Sequence, residues 1–402
     1  MTIIESQPGL IESQPRPDLV RRAADLAGLI RGYAGWHEEN RELHPEVVDA
    51  LTGAGLTKMR VPARYGGSVP DLRTVVDVVS ELARADGSVG WSCVSFTMAA
   101  WMSSLLPDEV QDEIWADPDV RFCGSVDGRN GVAVPADGGY ILNGKWHFNT
   151  GSPHATWDAH FALLSTPDGS FEPVIAVVPV SSLTLVDDWH TSGLRATGSR
   201  TSIATDLFVP EGWLVRVLPM MLQGQFVTEI NARYQAWQVP FMQMAITVAS
   251  APGLGMARAA QEAFLERAPK REISYTHYER QSEAPITHLH VGEARQLIDE
   301  AAFHLYRQVE RLDAKSASGE PWTIEDKAVA RMDAGAVIGR SRQAVDILAN
   351  AAGASSIYSH VPLQRIQRDI AALHQHGIMY PSTNLETLGR VLLGLEPNTD
   401  FL

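Results

Sequence analysis

Arg368, Asp369, His374 and His376 fall within one short run, QRDIAALHQHGIM, from Gln367 to Met379. A carboxyl group and an imidazole are the side chains best suited to moving protons near neutral pH. The apolar spacing of the run predicts a helix, which turns about 100° per residue. Asp369 and His376, seven apart, then return to nearly the same face, while His374 points roughly the other way. At most one histidine can therefore share a pocket with the stripe carrying Asp369, and the geometry favours His376. Gly377 behind it would serve as a helix C-cap, whose dipole favours the imidazolium, whereas burial opposes it.

A second group lies in GKWHFNTGSPHATW, Gly144 to Trp157. Period-two alternation places Trp146 and Phe148 on one face of a strand, followed by Asn149, Thr150, Gly151, Ser152 and His154. Aromatic rings beside short hydrogen-bonding side chains suit a flat heteroaromatic ligand, stacked on one face and held at its edge. An ordinary hairpin end has the same composition. In RADGSVGW, Arg84 to Trp91, one helix ends near Gly87 and another starts with Ser88 as cap, which puts Trp91 in its first turns. GLGMARA, from Gly253, has Arg258 where a dinucleotide fingerprint needs its third glycine, and no strand precedes it. Close helix packing through small residues is the better reading, and no nicotinamide site is indicated.

The elements that must hold these residues divide the chain into parts. Residues 1–17, with Pro8, Pro15 and Pro17, read as a loose arm. Residues 18–118 carry the helical spacing of LVRRAADLAGLIRGYAG, PEVVDALTGAGL and LRTVVDVVSELARADG. Residues 119–225 change to short β-rich runs such as HFALLST and VIAVVPV between Gly, Pro, Asn and Asp turns, an antiparallel β-barrel or sandwich. Residues 226–402 hold four long helical patterns that read as an up-down bundle. The class is α+β.

With 402 residues, 45% of them hydrophobic and 20% charged, the chain can bury a sizeable pocket. A net charge of -15 with no basic stripe argues against a nucleic-acid partner. Two cysteines, Cys93 and Cys123, with no CxxC pair or neighbouring histidine cluster, indicate neither a disulfide framework nor a metal site. No signal sequence or apolar run of membrane-spanning length is present, and a cytoplasmic protein is expected.

Taken in order, RELHPEVVDALTGAGLTKMRVPARYGG, ELARADGSVGW, FCGSV, LNGKWHFNTG, GLRATGS and GASSIYSHVPLQRIQRDIAALHQH resemble the acyl-CoA dehydrogenase superfamily over roughly residues 20–395. Within it the chain is most similar to the flavin-dependent monooxygenases, oxygenase components of two-component aromatic and polyketide hydroxylases. The resemblance implies an acyl-CoA dehydrogenase-like fold, with a helical N-terminal domain, a middle antiparallel β-barrel and a C-terminal four-helix bundle, assembled as a homotetramer. It implies reduced flavin, FMNH2 first and FADH2 as the alternative, delivered by a separate NAD(P)H:flavin reductase. Oxygen added at flavin C4a would then oxidise a small aromatic substrate; N- or S-oxygenation and acyl-CoA desaturation are the alternatives. The glutamate that dehydrogenases carry eight residues after the aspartate falls here on Gly377, while the histidine that monooxygenases carry seven residues after it falls on His376. The resemblance further implies a flavin pocket of Trp91, Ser125 and Phe148, with Thr150, where the family usually has serine, at the flavin N5 edge. Arg271 would reach the flavin phosphate of a neighbouring subunit.

Overall fold

The computed structural model describes residues 10–126, 128–217, 228–399 and 401–402. Seven helices come first: α1 (Pro17–Asp25), α2 (Ala27–Gly32), α3 (Ala34–Asn40), α4 (Pro45–Gly53), α5 (Leu72–Ala85), α6 (Gly87–Ser103) and α7 (Asp108–Trp115). α5 is amphipathic and capped by Asp71, whose carboxylate accepts from Thr74 N at 2.9 Å. α6 is apolar all round and almost wholly buried, as expected of a helix surrounded by other elements. The expected arm lies outside the described residues as far as residue 9. Beyond that, Ile11 pairs with Tyr234, its N–H donating to Arg233 O at 2.7 Å.

Eight strands follow: β1 (Phe122–Ser125), β2 (Gly131–Ala136), β3 (Gly139–Asn149), β4 (Trp157–Ser165), β5 (Phe171–Pro179), β6 (Thr184–Val186), β7 (Arg200–Pro210) and β8 (Leu214–Arg216). They form one sheet in the order β6-β7-β3-β2-β4-β5-β8, with β1 also on β4. This corrects the antiparallel barrel. β1 and β2 share one edge of β4 and both run parallel to it, and no pairing among the described residues joins the short edge strands β6 and β8. Alternation of side chains reports a pleat but not the direction of the neighbour, so the parallel pairs left no mark in the sequence. The sheet has its own small core around Trp146, Leu142, Ala162 and Val174.

The remaining helices are α8 (Glu229–Ala232), α9 (Phe241–Arg267), α10 (Pro285–Ser318), α11 (Ile324–Ala351), α12 (Pro362–His374) and α13 (Pro381–Leu392). α9 runs through the main core, packing on α5, α10, α11 and α12. Its GLGMARA segment works as small residues do. A Cβ at Gly255 would lie 2.1 Å from Ser80 O, and one at Gly253 would lie 2.8 Å from Ile338 Cδ1, so glycine sets how closely α9 approaches α5 and α11. No helix of the described residues is long and apolar enough to cross a membrane.

Candidate active site

The site is organised along α6. Its cap is Asp86, whose Oδ1 accepts from Ser88 N at 2.9 Å, and not Ser88 as the sequence suggested. Asp86 ends α5 in an extended conformation (φ -156°), which turns its carboxylate onto the first free amides of α6. Its Oδ2 meets Nδ1 of the buried His37 at 3.3 Å. Burial works to raise the Asp86 carboxyl, but His37, Arg365 and the Ser88 amide outweigh it and hold the group below its ordinary range.

One turn further on, Trp91 Nε1 donates to Thr150 Oγ1 at 3.1 Å, and Ser95 Oγ donates to Thr150 O at 2.9 Å. Thr150 Oγ1 also lies 2.8 Å from Ser199 Oγ, which lies 2.7 Å from Thr197 Oγ1. Thr197 Oγ1 donates to Leu194 O at 2.9 Å. Thr150 is presented by the end of β3, where the buried Asn149 Nδ2 donates to Asp158 Oδ2 at 2.5 Å and to Ser202 Oγ at 2.6 Å. Gly151 N, donating to Thr197 O at 2.9 Å, ties this turn to the 194–199 loop.

His376 completes the group, though not from within a helix. α12 ends at His374, and His376 follows in the exit turn, its N–H donating to Leu373 O at 3.1 Å. The shared-face geometry expected from an unbroken helix is thus corrected: the exit turn, rather than a 3.6-residue repeat, aims His376. Its ring meets Trp91 edge-on, with centroids 5.1 Å apart at 63°. Its Nδ1 is sealed from solvent with no hydrogen-bond partner among the described residues, while the residue as a whole is half-buried. Burial brings its pKa down to about 4, so the imidazole is neutral at pH 7 and able to accept a proton. His374 does point elsewhere, its Nδ1 3.0 Å from Arg342 and its ring against Tyr380.

Asp369 faces the start of α6. Its Oδ1 accepts from Leu194 N at 2.6 Å, and Arg368 O lies so close to Gly193 that a Cβ there would be 2.1 Å away. Burial first, then the charge of Asp86, raises Asp369 to about 8. Leu194 is held in the left-handed region (φ 50°) by this bond and by the donors Thr197 Oγ1 and Trp189 Nε1 on its carbonyl.

The other expected residues are more scattered. Trp146 and Phe148 do not share a face. A register shift between Trp146 and Asn149 breaks the alternation, so Trp146 is buried, stacked on His160 at 4.0 Å, while Phe148 sits at φ 60° and is 73% exposed beside Trp189. Ser125 is buried at the end of β1, opposite His160 of β4. Arg271 is exposed just beyond α9, its guanidinium donating to Ser355 Oγ at 2.6 Å, and no bond among the described residues joins it to Trp91, Thr150 or His376. Thr197 and Ser199, in GLRATGS, are the pair that sequence reasoning missed; nothing in their type marked them, since only the fold brings the loop against Thr150. A separate cavity of about 460 Å³ lies at the opposite end of α6, between Trp101, Met102, Phe161, Trp237, Phe241 and Trp322, and contains none of the expected site residues.

A half-buried imidazole meets an indole, with a row of hydroxyls behind it, where α6 passes the end of β3 and the 194–199 loop, a donor set compatible with a flat heteroaromatic ring. Family models for the N-terminal and C-terminal domains of acyl-CoA dehydrogenase match residues 19–117 and 247–381. The chain is 30% identical over 390 residues to the flavin-dependent monooxygenase oxygenase subunit HsaA of Mycobacterium tuberculosis, covering 96% of this chain and 98% of that one. It is 29% identical over 413 residues to the oxygenase component of the FADH(2)-dependent resorcinol hydroxylase of Rhizobium sp. (strain MTP-10005), covering all of both. The structure of XiaF from Streptomyces sp., in complex with FADH2 and glycerol, superposes with a TM-score of 0.88 at 27% identity, over 96% of this chain and 97% of that one. The chain belongs to the acyl-CoA dehydrogenase family, in the branch of flavin-dependent monooxygenase oxygenase components.

Proposed function

We propose that this chain is the oxygenase component of a two-component monooxygenase, which takes reduced flavin from a separate NAD(P)H:flavin reductase and uses O2 to hydroxylate a small aromatic or polyketide-type substrate. Reduced flavin supplies the electrons that activate oxygen; the protein supplies the cleft. The donor set fits such a ring. Trp91 offers an aromatic wall, Thr150 a hydroxyl for the ring edge and Ser125 a further polar group, and His376 brings a buried nitrogen with no partner among the described residues. FADH2 is placed ahead of FMNH2 because it is the flavin named for the resorcinol hydroxylase and bound in XiaF. The protein works in the cytoplasm as a homotetramer built on a C-terminal four-helix bundle, and Arg271, free of the cleft in its own chain, reaches the flavin phosphate of a neighbouring subunit. Phe148, on the rim, covers the flavin from outside.

The grouping of the neutral His376 against Trp91 carries this reading. His376 accepts the proton of a substrate hydroxyl as oxygen is transferred, and a positioned base contributes about 10²- to 10⁴-fold. The test is single-turnover mixing of FADH2, enzyme, O2 and a panel of phenols, with hydroxylated product counted per reduced flavin. His376→Ala lowers the yield by about tenfold or more, His374→Ala leaves it near wild type, and NADH is consumed only when a reductase is added. Equal yields in wild type and His376→Ala, with flavin binding intact, would remove the assignment's central residue.

A further inference from the structure

The row of hydroxyls behind Thr150 has a direction that can be worked out from one end. A hydroxyl has a single proton to donate and two lone pairs to accept with. Leu194 O can only accept, so the Thr197 proton is committed to it. At 2.7 Å from Ser199, Thr197 must then accept, and the Ser199 proton is committed in turn. At 2.8 Å from Thr150, Ser199 must accept, which takes the Thr150 proton. Trp91 Nε1 is a donor only and occupies one Thr150 lone pair. Thr150 is left with one lone pair and no proton to give.

We infer that Thr197 and Ser199 lock Thr150 as an acceptor towards the cleft, so that the site takes a ring nitrogen bearing hydrogen, as in reduced flavin, over the bare ring nitrogen of oxidised flavin. The inference rests on the flavin reading above and adds to it a reason for choosing between the two redox forms. Asp369 and Gly193 position the far end of the row. The Asp369 carboxyl fixes the Leu194 amide, and the close passage of Gly193 over Arg368 O leaves the Leu194 carbonyl turned back towards Thr197. A bare nitrogen opposite Thr150 meets a lone pair, and one lost hydrogen bond of this kind corresponds to about a tenfold change in affinity.

The experiment compares dissociation constants for oxidised and reduced FAD in wild type, Ser199→Ala, Thr197→Val and Ser199→Thr, with anaerobic titration for the reduced form. Wild type prefers reduced FAD. Ser199→Ala and Thr197→Val each return a proton to Thr150, and the oxidised-to-reduced ratio of dissociation constants falls about tenfold, mostly through tighter binding of oxidised FAD. For a two-electron couple a tenfold fall in that ratio lowers the midpoint potential of bound FAD by about 30 mV relative to wild type. Ser199→Thr restores the hydroxyl and the wild-type ratio. A merely structural role would weaken both forms alike, and an unchanged ratio in both Ser199→Ala and Thr197→Val overturns the lock while leaving the flavin reading in place. Failure of wild type to bind either form removes the flavin reading and the lock with it.

Discussion

Asp369 keeps a proton that its neighbour Asp86 gives up. The two carboxyls are buried near the α6 N-terminus, with His37, Arg365 and the Ser88 amide favouring charge on Asp86, and with burial, Asp86 and Glu38 opposing charge on Asp369 against Arg365 and the Leu194 amide. The ordinary Asp369 value of 3.8 rises to about 8 in the folded chain. Between those values the folded form holds a proton that the unfolded form has lost, so stability from this group falls as pH rises from about 4 to about 8. Asp369→Asn keeps an oxygen for Leu194 N and abolishes the ionisation. Thermal midpoints taken from pH 5 to 8 should therefore show wild type losing ground to Asp369→Asn with rising pH. His154 and His376, both lowered to about 4, act in the opposite sense below pH 6.5 but are common to both proteins. Parallel curves would show that Asp369 does not titrate in this window.

At the scale of elements, α9 and α5 are in contact because Gly255 lacks a side chain. Gly255→Ala would drive a Cβ into the Ser80 carbonyl, part of a helix backbone that cannot swing away, and overpacking of this kind costs about 1–3 kcal/mol. Gly28→Ala, in α2 with nothing within 4 Å, is the control and should be neutral or slightly stabilising. A drop in thermal midpoint confined to Gly255→Ala is expected; equal midpoints would mean that α9 has room to shift. The same segment shows what was legible in sequence. Small residues at helical spacing announced close packing, and the change from 3.6-residue to two-residue texture near residue 119 announced the sheet. The site was legible only in part. Trp91 followed from the helix restart after RADG, but His376 owes its aim to a helix that stops two residues earlier. The bulge at 147–148 turned Phe148 outwards against its period, and the partners of Thr150 come from a loop with no periodicity to read.

For the molecule as a whole, the outer helices are unfinished surfaces. α10 and α13 both pack on α11, and both leave large apolar side chains in solvent, with Leu289 71% exposed, Leu393 just past the end of α13 79% exposed, and Phe303 and Leu385 similarly bare. Apolar side chains bared on neighbouring helices suit burial against another chain, in keeping with the homotetramer proposed above. Light scattering at micromolar concentration should give a tetramer, and Leu289→Glu combined with Leu393→Glu should give a smaller species that binds flavin more weakly, because the reach proposed for Arg271 into a neighbouring subunit is then lost. A monomeric wild type would contradict both statements.

The pairing of Ile11 with Tyr234 has a consequence for synthesis on the ribosome. The 222 residues between the two partners are made at about 5–20 residues per second, so the early strand waits roughly 10–45 s for the segment that receives it. α5 waits nearly as long for α9, holding Val75, Val78, Val79 and Leu82 without their final cover. The helical N-terminal part therefore leaves the exit tunnel as a half-built surface, and the nascent chain, more than the finished enzyme, is the form that exposes apolar side chains to other proteins.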